Sequence, residues 1–272
     1  MGAVSPRRRL LVGLLVAVLL AAAGVVGVRL LRTDGPTVDP GARPAQDRPG
    51  PVLLVPGYGG GRGGLQQLAA RIEATGRSAT VLTLVGDGTG DLSAQVTVLD
   101  TAVNAALAAG APSVDVVGYS AGGVVAGLWV ARDDGAAKAR RVVTLGAPLA
   151  GTNLASTAAV IAPDACPAAC RQLAPGSAEI TELARDRVGE ALPWLSVWTA
   201  DDETVTPPGA ASPLAGALQV QVQAVCPGAR VSHSALPTDA AATGLVLRGL
   251  STAPLTDAAG DCAQVRAGRG PA

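Results

Sequence analysis

Val114-Asp115-Val116-Val117-Gly118-Tyr119-Ser120-Ala121-Gly122-Gly123 is the stretch on which the fold turns. A Val-rich run enters Gly-x-Ser-x-Gly, and Val124 to Ala131 continues with residues compatible with a helix. The expected local structure is strand, sharp turn and helix, with Ser120 at the apex. A serine held there has its hydroxyl pushed clear of the backbone at the carboxyl end of a buried strand. The flanking glycines let strand and helix approach without a Cβ clash.

The same rhythm extends to either side. Residues 51–55 form a short continuous apolar run, as expected for a parallel strand covered on both faces. Residues 65–76 carry apolar side chains at helical spacing and stop at a glycine. Residues 79–85 read as a strand, and Asp91 can cap a helix running to about Ala109. Strands are expected at residues 141–145 and 194–200. Residues 218–225 alternate with period two, as for an edge strand with one wet face. Residues 238–250 read as a final helix. Such alternation predicts an α/β protein: an open, mostly parallel sheet with helices on both faces, three layers in all. Residues 149–190 break the rhythm. They sit where a lid over the strand ends could be inserted, and their weak amphipathy suits a partly mobile cover, a long crossover loop being the plainer alternative.

The start of the chain has a different character. Arg7-Arg8-Arg9 precede an uncharged apolar run over residues 10–28, and Arg29 and Arg32 close it. At about 1.5 Å per helical residue this run is long enough for the ~30 Å hydrocarbon core of a bilayer. Residues 1–32 therefore read as a signal anchor, or as a signal peptide cut near Ala21-Ala22-Ala23. Both readings export the rest, membrane-anchored in the first case and secreted in the second. Residues 33–50 are rich in Pro and Gly and read as a flexible linker. Residues 51–272 are enough for one α/β domain.

With the five leader arginines set aside, 16 basic side chains face 21 acidic ones. Phe is absent, Tyr occurs twice, and no basic stripe is visible, which argues against nucleic-acid binding. No obligate protein partner is evident. The four cysteines, Cys166, Cys170, Cys226 and Cys262, suggest two disulfides in an exported chain. Of the three pairings, Cys166–Cys170 within one Pro-containing loop and Cys226–Cys262 flanking His233 are favoured. Their spacing lacks paired C-x-x-C and the chain has one histidine, so zinc is disfavoured.

The chemistry collects where strands end. Acyl transfer by serine needs a base for the hydroxyl proton, an acid that orients this base, and N–H donors for the oxyanion. Ser120 is the candidate nucleophile. His233 is the only imidazole in the chain, in a loop after the last strand. The acid is Asp201 or Asp202, both in the turn after residues 194–200. Asp202 is preferred, because Asp202-Glu203-Thr204-Val205-Thr206-Pro207 lets Val205 anchor the loop with the carboxylate just past the strand. Pro56-Gly57-Tyr58-Gly59-Gly60-Gly61-Arg62-Gly63-Gly64 fits neither G-x-x-x-x-G-K-[ST] nor G-x-G-x-x-G, so no nucleotide cofactor is expected. Its glycines instead allow backbone N–H groups to approach a developing oxyanion.

Together, Val55-Pro56-Gly57-Tyr58-Gly59-Gly60, Gly118-Tyr119-Ser120-Ala121-Gly122-Gly123, Thr144-Leu145-Gly146-Ala147-Pro148-Leu149-Ala150-Gly151-Thr152, Asp202-Glu203-Thr204-Val205-Thr206-Pro207 and Val231-Ser232-His233 resemble the bacterial class-2 lipases of the α/β-hydrolase superfamily. The resemblance covers most of residues 51–250. It implies the α/β-hydrolase fold, oxyanion donors at the backbone N–H groups of Tyr58 and Ala121, and a secreted or surface esterase or triacylglycerol lipase acting on ester or lipid substrates without a cofactor. Many members have His-Gly where this chain has Pro56-Gly57, and often His where it has Tyr119. Neither position supplies a triad group, so the differences bear on pocket shape. An acyltransferase, thioesterase or amidase on cell-envelope compounds would use the same triad. A non-catalytic surface module on the same fold is the reading of another class.

Overall fold

The computed structural model describes residues 43–257 and 260–269. The expected leader at residues 1–32 and most of the expected linker lie outside them. Among the described residues, no helix is long and apolar enough to cross a membrane.

Six strands form one parallel sheet: β1 (Val52–Val55), β2 (Ala79–Val81), β3 (Val114–Tyr119), β4 (Ala139–Leu145), β5 (Trp194–Trp198) and β6 (Leu218–Gln221). Their order is β2-β1-β3-β4-β5-β6. The longer helical segments are α1 (Gly63–Glu73), α2 (Leu92–Ala108), α3 (Ala121–Arg132), α4 (Asn153–Ile161), α5 (Ala168–Gln172), α6 (Ala178–Arg185), α7 (Ala240–Leu250) and α8 (Cys262–Arg266).

Why the sheet is covered on both faces follows from its sequence. Successive strand residues point to opposite sides, and here both sets are apolar. Leu53, Val55, Val114 and Val116 join a core with Leu99 of α2 and Leu128 of α3. Val52, Leu54, Val117 and Val143 join a second core with Leu65 and Leu68 of α1 and Leu245 of α7. Helix ends are set by side chains: Asp91 caps α2 by accepting from Ser93 N, and Asp239 caps α7 by accepting from Ala241 N and Ala242 N.

Strand order decides where a ligand can bind. From β1 the chain moves outward to β2, then crosses back over β1 to β3 and continues outward through β6. The reversal opens a crevice at the carboxyl ends of β1 and β3. The loop carrying Tyr58 leaves β1 there, and the turn carrying Ser120 leaves β3 beside it.

Two expectations are corrected, and a third holds for part of its segment. The strand foreseen at residues 79–85 ends at Val81; beyond it, the Gln95 side chain holds both the N–H and the C=O of Val85. The period-two segment at residues 218–225 is a strand only to Gln221, followed by the helical turn Val222–Val225. That turn brings Gln223 to the end of β5, where it accepts from Ala200 N and donates to Thr199 Oγ1. Residues 149–190 are mixed: α4 buries Ala155 alone, as weak amphipathy would have it, whereas the later part is an ordered crossover. The helix α6 is capped by Ser177, buries Ile180 and Leu183, and packs on α3 as the crossover from β4 to β5. The first part of the segment, α4 and α5, lies over the strand ends and lines a cavity there.

The opposite end of the sheet is held by buried charge. Asp115 of β3 and Arg140 of β4 are wholly buried, and Arg140 Nε donates to Asp115 Oδ1 at 3.1 Å. Arg77 Nη1 stands 2.7 Å from Asp115 Oδ2. Two arginines meet this one carboxylate and a third, Arg141, lies beside them; backbone carbonyls at the end of α7 take the surplus donors. Arg140 donates to Leu250 O at 2.6 Å and Ser251 O at 3.0 Å, while Arg141 donates to Gly249 O at 3.0 Å and Ala253 O at 2.7 Å. Cations at a helix C-terminus satisfy its orphan carbonyls and its dipole. Burial above all, then the neighbouring Arg140, push the Arg141 guanidinium down to about 10.

Removing the one acid leaves several buried cations uncompensated. Asp115→Ala is therefore expected to lower unfolding free energy by about 3–5 kcal/mol. Urea denaturation followed by circular dichroism measures it; a loss below about 1 kcal/mol would mean that the carbonyls alone carry these guanidinium groups.

Candidate active site

At the turn after β3, Ser120 adopts φ 52° and ψ −126°, a conformation that residues with a Cβ rarely adopt. It is the N-cap of α3; its N–H donates to Leu145 O at 2.9 Å and its C=O accepts from Gly123 N at 2.9 Å. What forces the turn is space. A Cβ on Gly122 would stand 2.2 Å from the carbonyl oxygen of Val55, inside β1. A Cβ on Gly57 would stand 2.9 Å from Ser120 Cβ, so the glycine-rich loop lies directly on the serine.

The three residues expected to act together are brought together. Ser120 Oγ is 3.0 Å from His233 Nε2, and His233 Nδ1 is 2.8 Å from Asp202 Oδ2. All three are 5–9% exposed: Ser120 9%, Asp202 6% and His233 5%. Asp202 Oδ1 accepts from Thr204 N at 2.9 Å and Val205 N at 2.7 Å, which orients the carboxylate toward the imidazole. Val205 itself is buried, as its anchoring part in the loop requires.

Asp201 faces elsewhere. Its Oδ2 accepts from Val231 N at 3.2 Å and Gln223 Nε2 at 3.3 Å, tying the turn after β5 to the loop that carries His233. The bridge Cys226–Cys262 joins the start of that loop to α8, and Cys166–Cys170 joins the segment between α4 and α5 to α5. Both are the pairings expected from the sequence.

Two residues of this site were not legible as such in the sequence. Glu203 Oε2 accepts from the His233 N–H at 3.1 Å. Tyr119 donates its hydroxyl to His233 O at 3.1 Å, and the two rings stack with centroids 5.2 Å apart at 30°. Glu203 was visible only as a member of the Asp202-to-Pro207 pattern, and Tyr119 only as a departure from the family's frequent His, taken to bear on pocket shape.

The hydroxyl of Ser120 opens on a cavity of about 250 Å³. Tyr58 and the half-exposed Leu154 stand at its mouth, and the buried Ala155, Leu173 and Val205 line its depth. Cys170 of the short disulfide forms part of the wall. Tyr58 follows β1 and Ala121 opens α3, so both expected oxyanion donors flank Ser120; the first N–H groups of a helix have no partner within it. Among the described residues, no group of His, Cys, Asp and Glu could hold a metal ion.

No protein-family model and no curated protein matches this sequence. Solved structures do. The chain is similar to Aspergillus fumigatus lipase B over 83% of its own length, at 18% identity and a TM-score of 0.64. It spans 58% of the length of that chain. It is also similar to the mature form of Bacillus licheniformis lipase BlEst2, over 68% of this chain and 86% of the other, at 19% identity and a TM-score of 0.53. Likeness at these identities reaches the architecture and stops short of the narrower bacterial class: the protein has the α/β-hydrolase fold of these bacterial and fungal lipases.

Proposed function

We propose that the protein is a serine carboxylic-ester hydrolase of the esterase or lipase type. One observation carries this reading: the hydroxyl, imidazole and carboxylate in line, at 3.0 and 2.8 Å, beside an apolar cavity. In the reaction, Ser120 Oγ attacks the ester carbonyl while His233 Nε2 accepts its proton. Asp202 keeps the other ring proton on Nδ1 and steadies the imidazolium that forms. The N–H groups of Tyr58 and Ala121 bind the oxyanion. Collapse of the tetrahedral adduct breaks the ester bond, and His233 passes its proton to the departing alcohol. Water, deprotonated by the same imidazole, then releases the acid from Ser120.

The cavity suggests the substrate class. With close packing a methylene occupies about 25 Å³, so about 250 Å³ holds an acyl chain of up to roughly ten carbons. Its lining offers no charge to a polar acid, and Leu154, Val160 and Ile161 on α4 leave an apolar surface beside the mouth. Two disulfides fit folding in an oxidising compartment, which agrees with export through the N-terminal segment. We infer that the domain works outside the cytoplasm, tethered to or released from the membrane.

Ser120→Ala is expected to lower nitrophenyl butyrate hydrolysis at least ~10⁴-fold and to abolish fluorophosphonate labelling, with the circular dichroism spectrum retained. Turnover that survives the substitution would refute the mechanism. Along a nitrophenyl ester series, kcat/KM should rise by up to about fourfold per methylene until the cavity is filled near eight to ten carbons, then fall. A palmitoyl ester hydrolysed as well as the octanoyl ester would show that the acyl chain lies elsewhere.

A further inference from the structure

Neither the proposed triad nor the oxyanion loop uses Tyr119, although it meets His233 through both its hydroxyl and its ring. It is the last residue of β3, immediately before the serine. Its hydroxyl donates to the carbonyl of His233, while Glu203 accepts from the N–H of the same residue. The backbone of His233 is thus held at both ends by side chains from two different strand ends. The stacked phenol ring then limits rotation of the imidazole itself. Gly146 closes in as well: a Cβ there would come within 3.2 Å of His233 Nδ1.

We propose that Tyr119 is the positioning residue of His233, its hydroxyl fixing the backbone and its ring face stabilising the imidazolium formed when Ser120 gives up its proton. The inference rests on the serine-esterase reading. An aromatic face within about 6 Å of a cation attracts it, and more strongly where water is excluded. His233 is buried, so this condition is met. The charged groups around His233 are the carboxylates of Asp202, on the ring, and Glu203, on the backbone N–H, and neither is altered by a change at Tyr119. Burial foremost, then the charges of Asp202 and Glu203, push the Tyr119 phenol up to about 12, so it remains a neutral donor throughout the range in which an imidazole titrates.

The two contributions separate by substitution. Tyr119→Phe keeps the ring and loses the hydroxyl; Tyr119→Leu loses both, with Tyr119→Met as the alternative if the Leu variant does not accumulate. Rates are normalised to active sites titrated with a fluorophosphonate. The Phe variant should lose about three- to tenfold in kcat at unchanged KM, with the acid limb of kcat/KM where it lies in the unaltered protein. The Leu or Met variant should lose more than tenfold, and its acid limb should move about half a pH unit lower, because the unsupported imidazolium gives up its proton more readily. A merely structural role would reduce the titrated sites and leave kcat per site and the limb in place. Unchanged kcat per site in the Phe variant, or an unmoved limb in the ring-less variant, overturns the proposal. If the unaltered protein shows no Ser120-dependent turnover, it is the esterase reading that falls, and this inference with it.

Discussion

Everything at the site depends on how closely β3, α3 and the end of β1 are packed. Gly122 sits against the Val55 carbonyl, and a Cβ on Gly118 would stand 2.5 Å from Gly123 Cα. With no room for side chains on that surface, the chain can leave β3 only through a tight turn, and Ser120 takes the strained conformation at its apex. Strain of this kind persists only where the surroundings over-determine it. Here they do: α3 buries Val124, Val125, Leu128 and Trp129, and the Ser120 N–H is tied to β4. A helix so firmly seated fixes the hydroxyl without any help from the loops that later meet it.

The two ends of the sheet divide the work. At the amino ends of the strands, Asp115 and the arginines bind β3 and β4 to the last turn of α7, with almost every donor finding a carboxylate or a carbonyl. At the carboxyl ends, the loops after β3, β5 and β6 supply serine, aspartate and histidine. The charged cluster adds rigidity where no substrate comes, and polar groups near the cavity are kept to the few that the chemistry needs. Tyr119 and Glu203 join these loops to one another, so the imidazole is set by the same strand that sets the hydroxyl.

Local signals were readable in the sequence, and long-range ones were not. Gly-x-Ser-x-Gly after a Val run gives the turn and its serine because the cause lies within ten residues. A sole histidine leaves no rival for the base. Between Asp201 and Asp202 the adjacent acids themselves say nothing, and the preference for Asp202 comes from Val205 downstream, which is buried and anchors the turn. Arg140 falls just outside the strand expected at residues 141–145, yet it lies inside β4, because Asp115 and the end of α7 make its burial tolerable. Past the end of β2, Gln95 of the following helix holds both backbone groups of Val85, a contact that nothing within residues 79–85 announces. The helices of residues 149–190 were obscured by their many alanines, which mark neither a face nor a boundary.

The bridge between Cys226 and Cys262 encloses the stretch of chain that holds His233 and all of α7. A single proteolytic cut anywhere inside that stretch leaves two pieces still covalently joined, and His233 still linked through the backbone to one of the bridged cysteines. Within that loop a severed peptide bond divides the backbone without separating the pieces.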